Sequence, residues 1–272
     1  MSVQERSALP GARRVVVKVG SSSISGENAD KIQTIVEALA AAHARGTEVV
    51  LVSSGAIATG MPYLALDERP VDLATQQAAA AVGQNVLIYR YQDALTPFAI
   101  VAGQVLLTAG DLENPTHRSN ARRAMERLLG LRILPIVNEN DTVATHEIRF
   151  GDNDRLAALV AALIDADALV LLSDIEALYT RPPSEPGAVP IRTVAYGDDL
   201  AGFEFGSVVV NSVGTGGAAT KVSAARLAAA SGIGVLVTSA DLVDAALNGA
   251  DIGTWFAPSL EAPAPVHTAA NA

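Results

Sequence analysis

The sequence predicts an α/β protein: an open, mainly parallel sheet sandwiched between helices. Three observations carry that reading. Strand-length runs rich in Val, Leu and Ile alternate repeatedly with longer segments of helical periodicity. The runs are apolar throughout, as in strands covered on both faces. Half of the 272 residues are hydrophobic but only 4% are aromatic, so the core is aliphatic.

Residues 13–19 and 48–53 read as the first two strands. Between them Ile32, Ile35, Val36, Leu39 and Ala42 recur at helical spacing, with Asn28 or Asp30 as the cap and Gly46 as the stop. Residues 73–95 read as a long helix, 99–107 as a strand, 118–129 as a helix and 132–138 as a buried strand. The stretch 143–150, carrying His146, Glu147 and Arg149, reads as a hairpin or excursion. A helix over 153–164, a strand over 168–173, a helix over 217–231 and a last buried strand over 233–238 follow. Pro182, Pro183, Pro186, Gly187 and Pro190 mark an irregular loop. Residues 258–272, rich in Ala and Pro without periodicity, read as a disordered tail. The rest, 1–257, is one domain with a weak division near residue 170 into two lobes of one sheet.

Composition narrows the function. A net charge of −10 disfavours nucleic acid and anionic membranes as partners. The absence of cysteine excludes thiol catalysis and cysteine metal sites. Met1 to Arg6 lack the apolar core of a signal peptide, and the apolar stretch Leu156 to Leu172 is broken by Asp165 and Asp167. A cytoplasmic protein is the expectation. His43, His117, His146 and His267 are too scattered to suggest a metal site.

The chemistry sits at four places. Lys18 ends an apolar strand and precedes Gly20-Ser21-Ser22, a turn that lets backbone N–H groups approach an anion. Alone, Lys18 reads equally well as a lysine snorkelling to solvent. Ser53-Ser54-Gly55-Ala56 follows the second strand in the same way, and alone it is an ordinary capped turn. Strand C-terminal ends share one crevice in open α/β sheets, so both loops should face one pocket. Gly214 to Lys221 is a glycine-rich loop whose lysine lies one turn into the helix and leans back toward the loop. Asn138-Glu139-Asn140-Asp141 and Gly151-Asp152-Asn153-Asp154 supply amides and carboxylates beside these lysines. Taken singly, each is turn and capping chemistry. Together the four suit phosphoryl transfer, which needs positioning and cations more than covalent help. A competing reading is a dinucleotide-binding reductase, resting on the spacing Gly214-x-Gly216-x-x-Ala219 alone.

In this order the motifs resemble the amino acid kinase superfamily, and within it the glutamate 5-kinase family, over residues 13–257. The stretches that carry the resemblance are Val17 to Gly20, Ser53 to Ala58, Ala81 to Gln84, Gly103 to Thr108, Val137 to Thr145, Gly151 to Asp154, Leu178-Tyr179 and Gly214 to Gly217. The resemblance implies the amino acid kinase fold and ATP-dependent phosphorylation of the γ-carboxylate of L-glutamate, the first step of proline synthesis, with Mg²⁺ accompanying ATP. By motif, Lys18, Lys221 and Asp154 are then catalytic, and Ser54, Asp141, Asn153, Asn138 and Asp152 bind glutamate. Lys18, Ser173, Asp174, Thr215, Gly216, Gly217 and Lys221 bind ATP. The lobe up to about residue 170 would hold glutamate, and 171–257 would hold ATP.

The same resemblance implies proline as feedback inhibitor, a homo-oligomer, and functional coupling to γ-glutamyl phosphate reductase. Ser173 replaces the family's usual threonine, and Ala177 and Ala218 replace a usual glycine and methionine. Many relatives carry an RNA-binding-type PUA module beyond the point where this sequence ends. Two alternatives stay open: another acid or phosphate kinase of this fold, such as an N-acetylglutamate kinase, and a non-catalytic amino-acid or nucleotide sensor.

Overall fold

The computed structural model describes residues 3–24, 28, 30–144, 153–200 and 217–261. In chain order its elements are β1 (Arg14–Lys18), α1 (Lys31–Ala44), β2 (Glu48–Val52), α2 (Ala56–Gly60), α3 (Leu73–Leu95), β3 (Ala102–Leu107), α4 (Ala109–Glu113) and α5 (Pro115–Gly130). They continue with β4 (Leu134–Glu139), α6 (Asn153–Leu163), β5 (Ala168–Ser173), β6 (Thr193–Val194), α7 (Ala218–Ala230), β7 (Gly234–Ser239), α8 (Val243–Leu247) and β8 (Thr254–Phe256).

The strands form one sheet in the order β3-β4-β2-β1-β5-β7-β8-β6. Every pairing is parallel except β7 with β8. This is the open, helix-sandwiched sheet expected. β1 lies centrally, with Lys18 opposite Val52 on one side and Leu171 on the other. The chain builds outward from β1 in both directions, which makes its C-terminal end the switch point where ligands enter such sheets.

Strand alternation decides which side chains reach which layer. Val15 and Val17 pack in the core under α1, α3 and α8, and Val16 packs in the core under α5, α6 and α7. Lys18 keeps the parity of Val16 and emerges on the α6 side. On β4, Ile136 belongs to the α3 side and Val137 to the α6 side. Asn138 therefore emerges toward α3.

Two glycines set how closely α2 and α3 approach. A Cβ on Gly83 would lie 1.8 Å from the Ala56 carbonyl oxygen, and one on Gly60 would lie 1.9 Å from that of Ala79. The two helices thus touch backbone to backbone. Gly83→Ala is expected to destabilise the fold by about 2–3 kcal/mol, although alanine is the better helix former by about 1 kcal/mol. Urea unfolding of the two proteins measures this, and an alanine variant as stable as the parent would refute it.

The structure corrects several boundaries. β7 is not the last strand, because β8 follows and pairs antiparallel with it. Trp255 on β8 is buried packing, its Nε1 donating to the Gln4 carbonyl. Asp30 occupies the position before α1 but makes no capping bond through its side chain, and Asn28 instead donates to the Ser22 carbonyl. Pro258 and Ser259 are buried, and the Ser259 N–H bonds the Ala229 carbonyl. Packing therefore continues two residues into the expected tail, and 262–272 lie outside the described residues, as does 145–150 of the expected excursion.

Candidate active site

The site forms where β1, β2, β4 and β5 end and α6 and α7 begin. Asp154 sits in the first turn of α6 and is fully buried. Lys18 Nζ lies 2.6 Å from its Oδ1, and Lys221 Nζ lies 3.1 Å from its Oδ2. Both lysines are themselves buried. One carboxylate thus separates and anchors two ammonium groups that arrive from opposite ends of the sequence. Burial alone would push the Asp154 carboxyl up, but Lys18 and then Lys221 outweigh it and hold it below the ordinary carboxylate range. The cluster carries one net positive charge.

Thr220, one residue before Lys221, accepts the Gly217 N–H at 3.0 Å, and its hydroxyl lies 3.2 Å from Asp154 Oδ2. It closes the first turn of α7 and ties that turn to the ion cluster. Sequence reasoning gave Thr220 no role of its own; with a glycine at the cap position the contact is one-sided, the threonine hydroxyl accepting the glycine N–H.

The glycine turns meet as expected. Gly55 takes a left-handed conformation (φ +87°), and a Cβ there would sit 3.2 Å from Ser21 Cβ. The turn after β1 therefore abuts the turn after β2. On its other side it is held by Asp174 at the end of β5: Ser22 Oγ donates within 2.9–3.0 Å of both Asp174 oxygens, and Ser23 Oγ lies 3.2 Å from one. Asp174 thus orders the turn that follows Lys18.

The amide wall is formed by Asn138, at the end of β4, and Asn153, which opens α6. Asn153 Nδ2 donates toward the Ser53 carbonyl at 2.7 Å, Asn138 Oδ1 at 2.9 Å and Ser54 Oγ at 3.0 Å. Ser53 Oγ meets the buried Tyr91 hydroxyl at 3.0 Å, and burial pushes that phenol's pKa up. Asp141 lies half-buried in the turn that follows β4.

Of the residues singled out in the sequence, Lys18, Lys221, Asp154, Ser54, Asn138 and Asn153 are brought together by these bonds. Ser173 lies at the end of β5 beside Asp174. Asp152, Thr215 and Gly216 lie outside the described residues. The two described histidines are engaged elsewhere: His43 against the Arg132 carbonyl and His117 against Asp111. Among the described residues no group of three metal-ligating side chains is present, and no helix is long and apolar enough to cross a membrane.

The arrangement can bind an anion between two held cations and can hold a polar partner against the amide wall. Comparison with known proteins identifies the family. The model of the Amino acid kinase family matches residues 13–239. A glutamate 5-kinase from Clavibacter sepedonicus is 72% identical over 258 residues, covering 95% of this chain and 99% of that protein. One from Leifsonia xyli subsp. xyli is 71% identical over 261 residues, covering 96% and 97%. One from Salinispora arenicola is 55% identical, with 95% of this chain but 71% of that protein covered. Among solved structures, the carbamate kinase from Giardia lamblia bound to AMP-PNP matches with a TM-score of 0.67 at 17% identity, over 92% of this chain and all of that one. That likeness speaks to the fold alone.

Proposed function

The chain belongs to the amino acid kinase family, and we propose that it transfers the γ-phosphoryl group of ATP to the γ-carboxylate of L-glutamate. The products are ADP and L-γ-glutamyl phosphate, which places the reaction at the head of proline synthesis. The observation that carries the reading is the buried Lys18–Asp154–Lys221 cluster at the convergence of two glycine turns. A γ-carboxylate oxygen forms the new bond to phosphorus as the bond to the β,γ-bridging oxygen breaks, and ADP leaves with that electron pair. No proton has to move, because the nucleophile is already ionised at pH 7. A site without a histidine among its described residues suits this chemistry.

In this reading Lys18 and Lys221 neutralise charge on the transferring oxygens, and Asp154 holds both in place. The nucleotide enters as its magnesium complex. Magnesium carried on the nucleotide's phosphates suits a site whose own cations, Lys18 and Lys221, meet those phosphates. Ser173, Asp174, Thr215, Gly216 and Gly217 of the second lobe are assigned to the nucleotide. Ser54, Asn138, Asn153, Asp141 and Asp152 are assigned to glutamate, the carboxylates as partners for its α-ammonium. The deciding experiment measures ADP release with glutamate, N-acetylglutamate and aspartate, trapping the acyl phosphate with hydroxylamine. Glutamate-dependent hydroxamate supports the proposal. Activity on N-acetylglutamate alone would replace it with another kinase of the fold, and no turnover would leave a sensor.

Proline shares glutamate's α-carboxylate and cationic α-nitrogen but lacks the γ-carboxylate, so it is expected to inhibit by competing for the α-end contacts. A glutamate titration at several fixed proline levels should shift rightward and converge at high glutamate. An unchanged curve with proline well above the glutamate KM would exclude it. A cytoplasmic homo-oligomer that hands its labile acyl phosphate to a reductase completes the proposal.

A further inference from the structure

The amide wall has a polarity, and part of what holds it in place lies outside the site. Two backbone groups fix it. The Ser53 carbonyl can only accept, so the Asn153 atom 2.7 Å away is Nδ2. The Glu139 N–H can only donate, so the Asn138 atom 2.9 Å away is Oδ1. Asn138 Nδ2 is thereby turned toward α3, where Gln84 Oε1 accepts from it at 2.7 Å. Gln84 and Asn138 are both buried, so water is not at hand to replace either partner. Gln84 follows Gly83, whose backbone contact with α2 sets the depth at which α3 sits.

The relay therefore runs in one direction: Asn153 donates to Asn138, and Asn138 donates to Gln84. With its nitrogen facing Ser53, Ser54 and Asn138, Asn153 has its Oδ1 directed away from that wall. Among the described residues nothing donates to this oxygen. Ser54 Oγ accepts from Asn153, which leaves its own hydrogen to donate. The wall thus offers an acceptor at Asn153 and a donor at Ser54, a pairing that matches the ammonium and carboxylate on the α-carbon of an amino acid.

We infer that Gln84 is a positioning residue: by accepting from Asn138 it holds that amide, and through it Asn153, in the orientation that presents the Asn153 acceptor, and so tunes recognition of the amino-acid substrate. This rests on the proposed glutamate kinase activity. A side chain of similar length that cannot accept, as in Gln84→Met, leaves the buried Asn138 Nδ2 unpaired. Asn138 cannot turn over to compensate, because its nitrogen would then face the Glu139 N–H and the Asn153 amide nitrogen. It rotates off Asn153 instead, and Asn153 is left with its bonds to Ser53 and Ser54 alone, a looser hold on the acceptor it presents. Gln84→Glu keeps an acceptor oxygen at the same reach and preserves the relay.

The test is steady-state kinetics on the full-length wild type, Q84M and Q84E, with glutamate and ATP varied separately. Wild-type turnover on glutamate is established first, so a failure of the proposed activity is seen before any variant is compared. Q84M is expected to raise the glutamate KM about tenfold, with the ATP KM within about twofold of the parent. Q84E should stay within about threefold on both. If Q84M does not accumulate as folded protein, Gln84→Ala takes its place with the same expected split. Equal rises in both KM values, an unchanged glutamate KM, or a Q84E as impaired as Q84M would each overturn the inference.

Discussion

Lys221→Ala and Lys18→Ala are each expected to lower kcat by about 10²–10³ while leaving the glutamate KM within a few-fold of the parent. Both ammonium groups are buried and touch the same carboxylate, at 3.1 Å and 2.6 Å. With both present the cluster has one net positive charge. With either removed, the remaining lysine and Asp154 neutralise each other and nothing is left over for the transferring oxygens. That charge builds toward the transition state rather than in bound glutamate, so the loss falls on kcat. Losing one preorganised charge contact of this kind costs about 3–4 kcal/mol. Initial rates at saturating ATP and glutamate decide the matter, and a near-parental kcat in either variant removes that lysine from the chemistry. Circular dichroism of each variant separates lost chemistry from lost folding.

How far this site could be read from the sequence depends on how local each signal is. Residues 73–95 and 168–173 fall where α3 and β5 lie, because each carries its own boundary information. Asp72 caps α3 by accepting the Thr75 N–H, and the run Ala168 to Leu172 is buried without a break. α5 begins at Pro115, three residues before its expected start, because Asn114 caps it by accepting from Thr116 and His117. β3 begins three residues late, since Ala99 turns left-handed (φ +54°) before the sheet is joined. The short β6 and β8 carry too few residues to show a period, and only their neighbours in space make them strands.

The site divides in the same way. Lys18 and Lys221 were visible because a charge at the end of an apolar strand or beside a glycine turn violates the local pattern, whereas Asp154 was singled out from its acidic turn by the family resemblance. Gln84 violates nothing: a glutamine in a helix is unremarkable until Asn138, 54 residues away, donates to it. The bonds from Ser22 and Ser23 to Asp174 span about 150 residues and were equally hidden. Sequence reasoning found the charges, whose cost of burial demands a partner. It missed the long-range bonds made by Gln84, Thr220 and the serines of the first turn, whose partners are chosen by the fold.

Asp154→Ala should be the most damaging single change, in stability as well as rate. It leaves Lys18 and Lys221 buried side by side without a counter-charge. Breaking a buried ion pair by removing one partner costs about 3–5 kcal/mol. For a chain of this size that lowers Tm by on the order of 10 °C. Catalysis should fall with it, by at least about 10²-fold, since both cations lose the group that places them. One consequence distinguishes this from general damage: the phosphates of a bound nucleotide bring back negative charge. A non-hydrolysable ATP analogue should therefore raise the Tm of the variant more than that of the parent. An equal or smaller rise would show that the two lysines do not meet the nucleotide.

The pH dependence follows from the same cluster. The carboxyl is held below its ordinary value in the folded state, so its contribution to stability is complete above the unfolded pKa of about 3.9 and fades as pH falls through the lower folded value. The contribution of Asp154 to the parent's own stability should accordingly stay constant from pH 6 to 8 and be lost only in acid. A parent carboxyl seen by NMR to titrate at or above the ordinary carboxylate range would mean that Asp154 is not the anion between the two lysines.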